Sequence, residues 1–381
     1  MLGRYVFRKK INFALAGTLD AAGYTVSSAF GRKKNFPASK NILLVRLDHL
    51  GDALSASALP KILKQYFAAS KISTLTSAAG KSIFENNPFV DESLSYDAGW
   101  FLRKDGVSGK NTGFWDLVGE LKKRRFDAAI GLRGDLRENF ILWLSGIPHR
   151  VGYGITGGGF FLNHEMPYRF GVHESGHTLD ILRGMGIPAD SLSPQIYFSP
   201  EEEKTLERSL SEKFSARGLT LKDIRVGLQT EAGSSSKNWP AEHAQNFLKR
   251  FACDFPSEKI VLLGSRNPDD FSSASVVDLR GKTGLRELFF LIRRLKAFVG
   301  PDSGPAHAAA AMGVPTLFLY SGTNVFEEWK SLAPNAFFLR HPVPCAPCHK
   351  TECDVPGHPC MSGIEPGQVL DWLRPRLGES S

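Results

Sequence analysis

Read for its apolar positions alone, the chain alternates between two patterns. Residues 41–46 (NILLVR), 72–76, 126–131, 225–229, 259–263 and 297–299 are short runs, mostly apolar, and such runs predict buried strands. Between them, apolar residues recur every three or four positions. That spacing predicts helices over 53–67, bent at Pro60, and over 115–125, 136–145, 201–214 and 285–296. Strands alternating with helices at this interval predict parallel sheets covered by helices on both faces. The rhythm pauses at residues 189–200, a proline-rich stretch without helical period, and then restarts. The expected fold is α/β, with two Rossmann-like domains at 41–188 and 201–344 facing a cleft outside the carboxyl ends of their strands.

Two flanking segments fall outside that rhythm. Residues 1–40 are basic at both ends (Arg4, Arg8, Lys9 and Lys10; Arg32, Lys33, Lys34 and Lys40), and Phe7, Ile11, Leu15 and Leu19 stand four apart. Such a segment could lie as an amphipathic helix on an anionic bilayer, serve as a signal peptide, or pack as an arm on the body. Residues 345–381 form a cysteine-rich loop followed by a C-terminal helix. Cys345, Cys348, Cys353 and Cys360 could hold a structural zinc or iron–sulfur cluster, or remain reduced thiols. Cys253, in a helical stretch, reads as a core position.

Composition narrows the class. The 381 residues are 42% hydrophobic and 23% charged, ordinary for a soluble globular protein, and long enough for two cores. The net charge of +8 favours an acidic partner: nucleic acid, an anionic membrane surface or a phosphorylated small molecule. The basic runs lack interleaved aromatics, which argues against nucleic acid. Five cysteines, four of them in one loop, do not make a secreted disulfide scaffold, so the cytoplasm is the expected compartment.

The most informative stretch is 297–323, AFVGPDSGPAHAAAAMGVPTLFLYSGT. It reads as strand, turn, small-sided helix, strand and turn. Pro305 suits a first helical turn, Gly313 suits the stop, and N–H groups near Ser303 to Ala306 could cradle phosphate. Two further segments join it, Arg46-Leu47-Asp48-His49-Leu50-Gly51-Asp52 and Ala232-Gly233-Ser234-Ser235-Ser236-Lys237-Asn238-Trp239-Pro240. They supply a carboxylate at a helix start in one half, and a lysine with helix N-termini in the other. A base together with an anion cradle suits transfer from a diphosphate-activated donor to a hydroxyl. Other matches are weaker. His173-Glu174-Ser175-Gly176-His177 fits H-E-x-x-H, but Gly176 weakens the helix that zinc chemistry needs. Gly152-Tyr153-Gly154-Ile155-Thr156-Gly157 has the glycines of a dinucleotide turn without a clear helix after it. Gly80-Lys81-Ser82 and Gly281-Lys282-Thr283 each lack the earlier glycine of a P-loop.

In order and spacing, these segments resemble glycosyltransferase family 9, the lipopolysaccharide heptosyltransferases, over about residues 41–373. The resemblance includes the Lys-x-Trp-Pro run, the Asp302 to His307 turn and the trailing cysteines. It implies a type B glycosyltransferase architecture and an inverting, metal-independent transfer, typically from ADP-heptose to a lipid-linked lipopolysaccharide core. No cofactor is then required for catalysis, in keeping with the lack of any Asp-x-Asp in the chain. Asp52 would match the catalytic base, with Asp48 an alternative, and Lys237 the residue that offsets charge on the leaving diphosphate. Ser234, Ser235, Gly264, Ser265, Asp302, Ser303, Gly304 and His307 would bind the donor. The implied place is the cytoplasmic face of the inner membrane. Two departures stand out: Asp48-His49 where small hydroxyl residues are usual, and Thr230-Glu231-Ala232 before Gly233, where an inward acid would repel a diphosphate. A nucleotide-sugar epimerase on the same fold and a non-catalytic, basic membrane-surface protein are the competing readings.

Overall fold

Asn41–Arg46 forms strand β1 with five of its six residues buried, as a strand covered on both faces must be. The structure is a computed structural model and describes residues 10–28, 36–37, 39–97, 99, 113–265, 269–271 and 273–378, with backbone alone at 10–13, 15, 27 and 28. The chain divides into two units, 1–197 and 198–381.

Unit 1 begins with α1 (Lys10–Ser28), β1, α2 (Leu50–Ala56), α3 (Leu59–Tyr66), β2 (Lys71–Thr76), α4 (Ala78–Phe84) and β3 (Glu92–Ser95). It continues with α5 (Phe114–Arg124), β4 (Ala128–Gly131), α6 (Leu136–Leu144), β5 (His149–Gly152), β6 (His164–Glu165) and α7 (Glu174–Gly184). Among the described residues its sheet has six parallel strands in the order β3-β2-β1-β4-β5-β6. Leu43, Val45, Leu75, Leu117, Leu121, Ala129 and Ile141 pack as one core. The expected helix over 53–67 is two helices. Pro60 sits in the first turn of α3, where its missing N–H costs nothing, so the chain breaks before it instead of bending at it.

Unit 2 carries α8 (Pro200–Ser215), β7 (Ile224–Leu228), α9 (Ala241–Asp254), β8 (Lys259–Leu262), β9 (Val276–Asp278), α10 (Leu285–Ile292) and β10 (Ala297–Pro301). It closes with α11 (Gly304–Ala311), β11 (Thr316–Tyr320), α12 (Phe326–Trp329), β12 (Ala336–Arg340), α13 (Pro359–Ser362) and α14 (Pro366–Leu377). The described strands form a parallel sheet in the order β12-β11-β10-β7-β8-β9. Alternate strand residues serve opposite faces. Ile260, Leu262 and Val299 pack with Phe247, Phe251 and Leu370 of α9 and α14, while Val261, Phe298 and Phe318 pack with Phe214, Phe290 and Ala309 from the other side.

The strands that apolar pattern did not predict, β3, β5, β6, β9 and β12, lie at or next to the sheet edges. There one face or the whole strand meets water, and except in β12 (AFFLR) the hydrophobic run is lost. Cys253 is exposed and not core: it lies beyond the buried face of α9 set by Ala244, Phe247, Leu248 and Phe251. In α1, Ala16 and Asp20 are buried and Asp20 accepts a 2.7 Å hydrogen bond from the Gly158 N–H, so the helix packs on unit 1. Phe7 lies outside the described residues. Among the described residues no helix is long and apolar enough to cross a membrane.

Candidate functional site

In unit 1 the strand order reverses between β1 and β4, and the residues that follow those two strands converge there. Arg46, the last residue of β1, is 4% exposed and touches three carboxylates. Its Nε donates to Asp48 Oδ1 at 2.8 Å, and its Nη2 to Asp52 Oδ1 at 3.0 Å and Glu174 Oε1 at 2.9 Å. Arg133, in the turn after β4, donates from Nη1 to Asp48 Oδ2 at 2.7 Å. Both Asp48 oxygens are therefore held by guanidinium groups, and its side chain is 1% exposed. Asp52, on the first turn of α2, is 14% exposed, and its Oδ2 accepts from the His49 backbone N–H at 3.3 Å.

The electrostatics follow from burial and charge. Burial alone would lower Arg46, but Asp48, Asp52 and Glu174 outweigh it and hold the guanidinium well above its usual range. Burial pushes the Asp48 carboxyl up from its ordinary value against the pull of Arg46 and Arg133. On the first turn of α6, Glu138 is fully buried, and burial with Asp48 and Asp135 nearby pushes it up to about 8.

In unit 2 the order reverses between β7 and β10, and Lys237 and Asp302 meet beyond those strands. Lys237 Nζ donates to Asp302 Oδ2 at 2.5 Å, His307 Nε2 lies 2.9 Å from Asp302 Oδ1, and Asn324 Nδ2 donates to Oδ2 at 3.3 Å. Burial would raise Asp302, but the His307 hydrogen bond and the charge on Lys237 outweigh it and hold the carboxyl well below its ordinary range. Ser303 caps α11: its Oγ accepts from the Ala306 N–H at 3.4 Å and donates to Gln229 Oε1 at 2.7 Å. Pro305 stands in the first turn of that helix. Glu231 lines a cavity of about 320 Å³ with Thr230, Asn238, Trp239, Asp269 and His358. Its Oε1 is buried with no hydrogen-bond partner among the described residues, beside Gly264, whose φ of +131° suits glycine. Burial pushes the Glu231 carboxyl up.

The sequence profile of glycosyltransferase family 9 (heptosyltransferase) matches residues 114–358. The chain belongs to glycosyltransferase family 9. The lipopolysaccharide core heptosyltransferase OpsX of Haemophilus influenzae is 22% identical over 307 residues, covering 75% of this chain and 80% of that one. Lipopolysaccharide heptosyltransferase 2 of Salmonella typhimurium is 25% identical over 366 residues, covering 89% and 99%. The structure of E. coli ADP-heptose lipopolysaccharide heptosyltransferase II superposes with a TM-score of 0.70 at 21% identity, covering 88% and 98%. The fold is that of a type B glycosyltransferase with two Rossmann-like units.

Within this family-9 chain, the structure sorts the residues singled out by sequence. Lys237, Asp302, Ser303, Gly304 and His307 come together, as do Asp48 and Asp52. Ser234 is half-buried and Ser265 exposed. Ser235 and Ser236 are occupied elsewhere, donating from Oγ to the Thr351 and Lys350 carbonyls at 3.3 and 2.6 Å. These bonds hold the cysteine loop, with the Cys348 N–H on the Gly322 carbonyl and the His349 N–H on the Thr323 carbonyl. All four loop cysteines are free thiols, Cys345 exposed and Cys360 buried. Among the described residues no three His, Cys, Asp or Glu side chains are grouped to hold a metal, so the zinc or iron–sulfur expectation at Cys345, Cys348, Cys353 and Cys360 finds no support. Hydrogen bonds from serine hydroxyls and backbone N–H groups secure that loop.

The zinc-like motif dissolves in the same way. His173 caps α7 by accepting from the Ser175 N–H, His177 stacks on Tyr168 at 4.1 Å, and Glu174 turns to Arg46. The glycine run after β5 receives Asp20 of α1 and not a dinucleotide turn helix. Arg46, Arg133, Glu138, Gln229 and Asn324 were not assigned by sequence. Their signal was position, since each stands at or just beyond the carboxyl end of a strand or on the first turn of the helix that follows.

Proposed function

We propose that this glycosyltransferase moves heptose from ADP-heptose onto the core of a lipopolysaccharide or a related lipid-linked glycan, by a single inverting displacement that needs no metal. The named relatives, which carry heptosyltransferase activity in their names, support the donor and acceptor classes. Asp52 is the base. Asp48 has both oxygens committed to arginines, whereas Asp52 keeps exposure and is aimed by Arg46 and the His49 N–H, and this contrast carries the assignment. The acceptor hydroxyl attacks the anomeric carbon, its proton passes to Asp52, and the bond from that carbon to the diphosphate oxygen breaks. Lys237 balances charge on the leaving diphosphate. An ammonium has three N–H donors; Asp302 takes two, through Oδ2 and its carbonyl, and leaves one for a phosphate oxygen. Because the Ser303 hydroxyl is engaged with Gln229 and Ala306, and the Ala306 and His307 N–H groups donate to Ser303, phosphate is met by the Ser303 and Gly304 backbone N–H groups. Asp302 and His307 contact sugar or phosphate, and Gly264 and Ser265 border the base.

We further assign the working place to the cytoplasmic face of the inner membrane, with contact through unit 1. Trp115 is 71% and Trp143 47% exposed, joined by ring contacts through Phe114 and Phe140, and Lys122 follows Trp115 by two helical turns. Mass spectrometry of products from a panel of nucleotide sugars with a lipid acceptor tests the transfer. ADP-heptose is expected to give the heptosylated acceptor and ADP only when acceptor is present. Asp52→Asn is expected to lower turnover by at least about 100-fold with donor binding intact. Full turnover in that variant would remove Asp52 from the mechanism.

A further inference from the structure

Glu138 has no role in the transfer as described, yet its placement is unusual. It is 1% exposed on the first turn of α6, and among the described residues neither carboxyl oxygen has a hydrogen-bond partner. A buried acid in that state is costly when charged and less so when neutral. Glutamine would fill the same space without an ionisable group. An acid buried without a partner beside other carboxylates therefore points to a working group. The charged groups that bear on it are Asp48 and Arg46 from the end of β1, Arg133 from the turn after β4 and Asp135 at the cap of its own helix. Asp52 of α2 and Glu174 of α7 stand one ion pair further, through Arg46.

The connections form a chain. Arg133 and Arg46 share Asp48, one on each oxygen, and Arg46 reaches Asp52 with the nitrogen it does not use for Asp48. Where Arg46 points therefore depends on Arg133 staying with Asp48. We propose that Glu138 is a positioning residue for the transfer: as a neutral acid it leaves Arg133 to Asp48, and once ionised it draws Arg133 away. Arg46 then turns to the freed oxygen of Asp48 and loosens its hold on Asp52. The proton lost by Glu138 goes to solvent, and no bond to substrate is made or broken at this residue. The upward shift of Glu138 to about 8 places this change at the alkaline edge of the working range. The inference rests on Asp52 as the base.

Steady-state kinetics of the full chain across about pH 6 to 9 test it, with Glu138→Gln as the neutral mimic. Wild-type kcat is expected to fall about tenfold per pH unit above about pH 8 while donor KM holds, and Glu138→Gln is expected to lose that fall. The same alkaline fall in both proteins, or none in the wild type, overturns the proposal. Infrared difference spectra of the wild-type protein give a second reading that no variant's folding can obscure. A protonated buried carboxyl band that vanishes as pH rises through about 8 supports the proposal, and a carboxyl spectrum already fully ionised at about pH 6 overturns it. Full turnover in Asp52→Asn would remove the base assignment, a failure separate from any result on Glu138.

Discussion

Asp48 and Asp52 stand four residues apart, and in the sequence only the family resemblance ranks Asp52 first; no local physical feature separates the two carboxylates. The distinction comes from Arg133, which is 85 positions from Asp48 in the chain and takes its second oxygen. Glu174 shows the same principle in reverse. It sits in a pattern that suggests zinc chemistry, but 128 positions separate it from the Arg46 that it pairs with. Glu138 reads as an ordinary polar residue of an amphipathic helix until burial is known. Its folded-state value of about 8 lies above the ordinary 4.5, so the native state binds more protons than the unfolded chain between those values. The stability it contributes is fully present below about pH 4.5 and is lost as pH rises through about 8, at close to 1.4 kcal/mol per unit in that window. Denaturant unfolding is expected to show Glu138→Gln gaining on the wild type steadily from about pH 5 to 8, and a constant difference would contradict the buried, neutral state.

The helix α11 shows how far an element can be read before its structure is known. Pro305 in the first turn, Gly313 at the stop with φ +83°, and a run of alanines predict a short helix that packs closely, and Ala306, Ala308, Ala309 and Ala310 are all buried. What the pattern did not disclose is the double use of the Ser303 hydroxyl, which caps the helix and also holds Gln229 at the end of β7. Ser303→Ala is therefore expected to cost about 1 kcal/mol of unfolding free energy from the cap, with a further loss from the unpaired Gln229. Urea denaturation followed by a probe in unit 2 measures it, and a loss well below that figure would mean the cap is not carried by this hydroxyl. Elsewhere the local signal misled in a different way. Pro60 signals an interruption, and only packing decides between a bent helix and the two separate helices α2 and α3.

For the molecule as a whole, the net charge of +8 says that an anionic partner is favoured but not where it binds. The described surface of unit 1 offers exposed Trp115 and Trp143 with Lys122 and Lys123 on the same helix as Trp115. Indole rings suit the headgroup level of a bilayer, and lysines suit anionic lipid. The protein is expected to co-sediment with vesicles containing anionic lipid and not with neutral ones, and to be released as salt rises from about 0.1 to 1 M. Replacing both tryptophans by alanine is expected to weaken that binding by about tenfold. Equal binding by the double variant would move the contact to another surface.

The alternation of strands and helices, the two halves and the cap and stop of α11 were determined by sequence, because hydrophobic period and turn chemistry are local properties of neighbouring residues. The tertiary structure decided which acid is closed by arginines and which is reachable, why a zinc-like glutamate serves an ion pair, and why burial pushes the Glu138 carboxyl up. Those outcomes depend on desolvation and on charges brought together from distant parts of the chain, and neither quantity exists until the chain has folded.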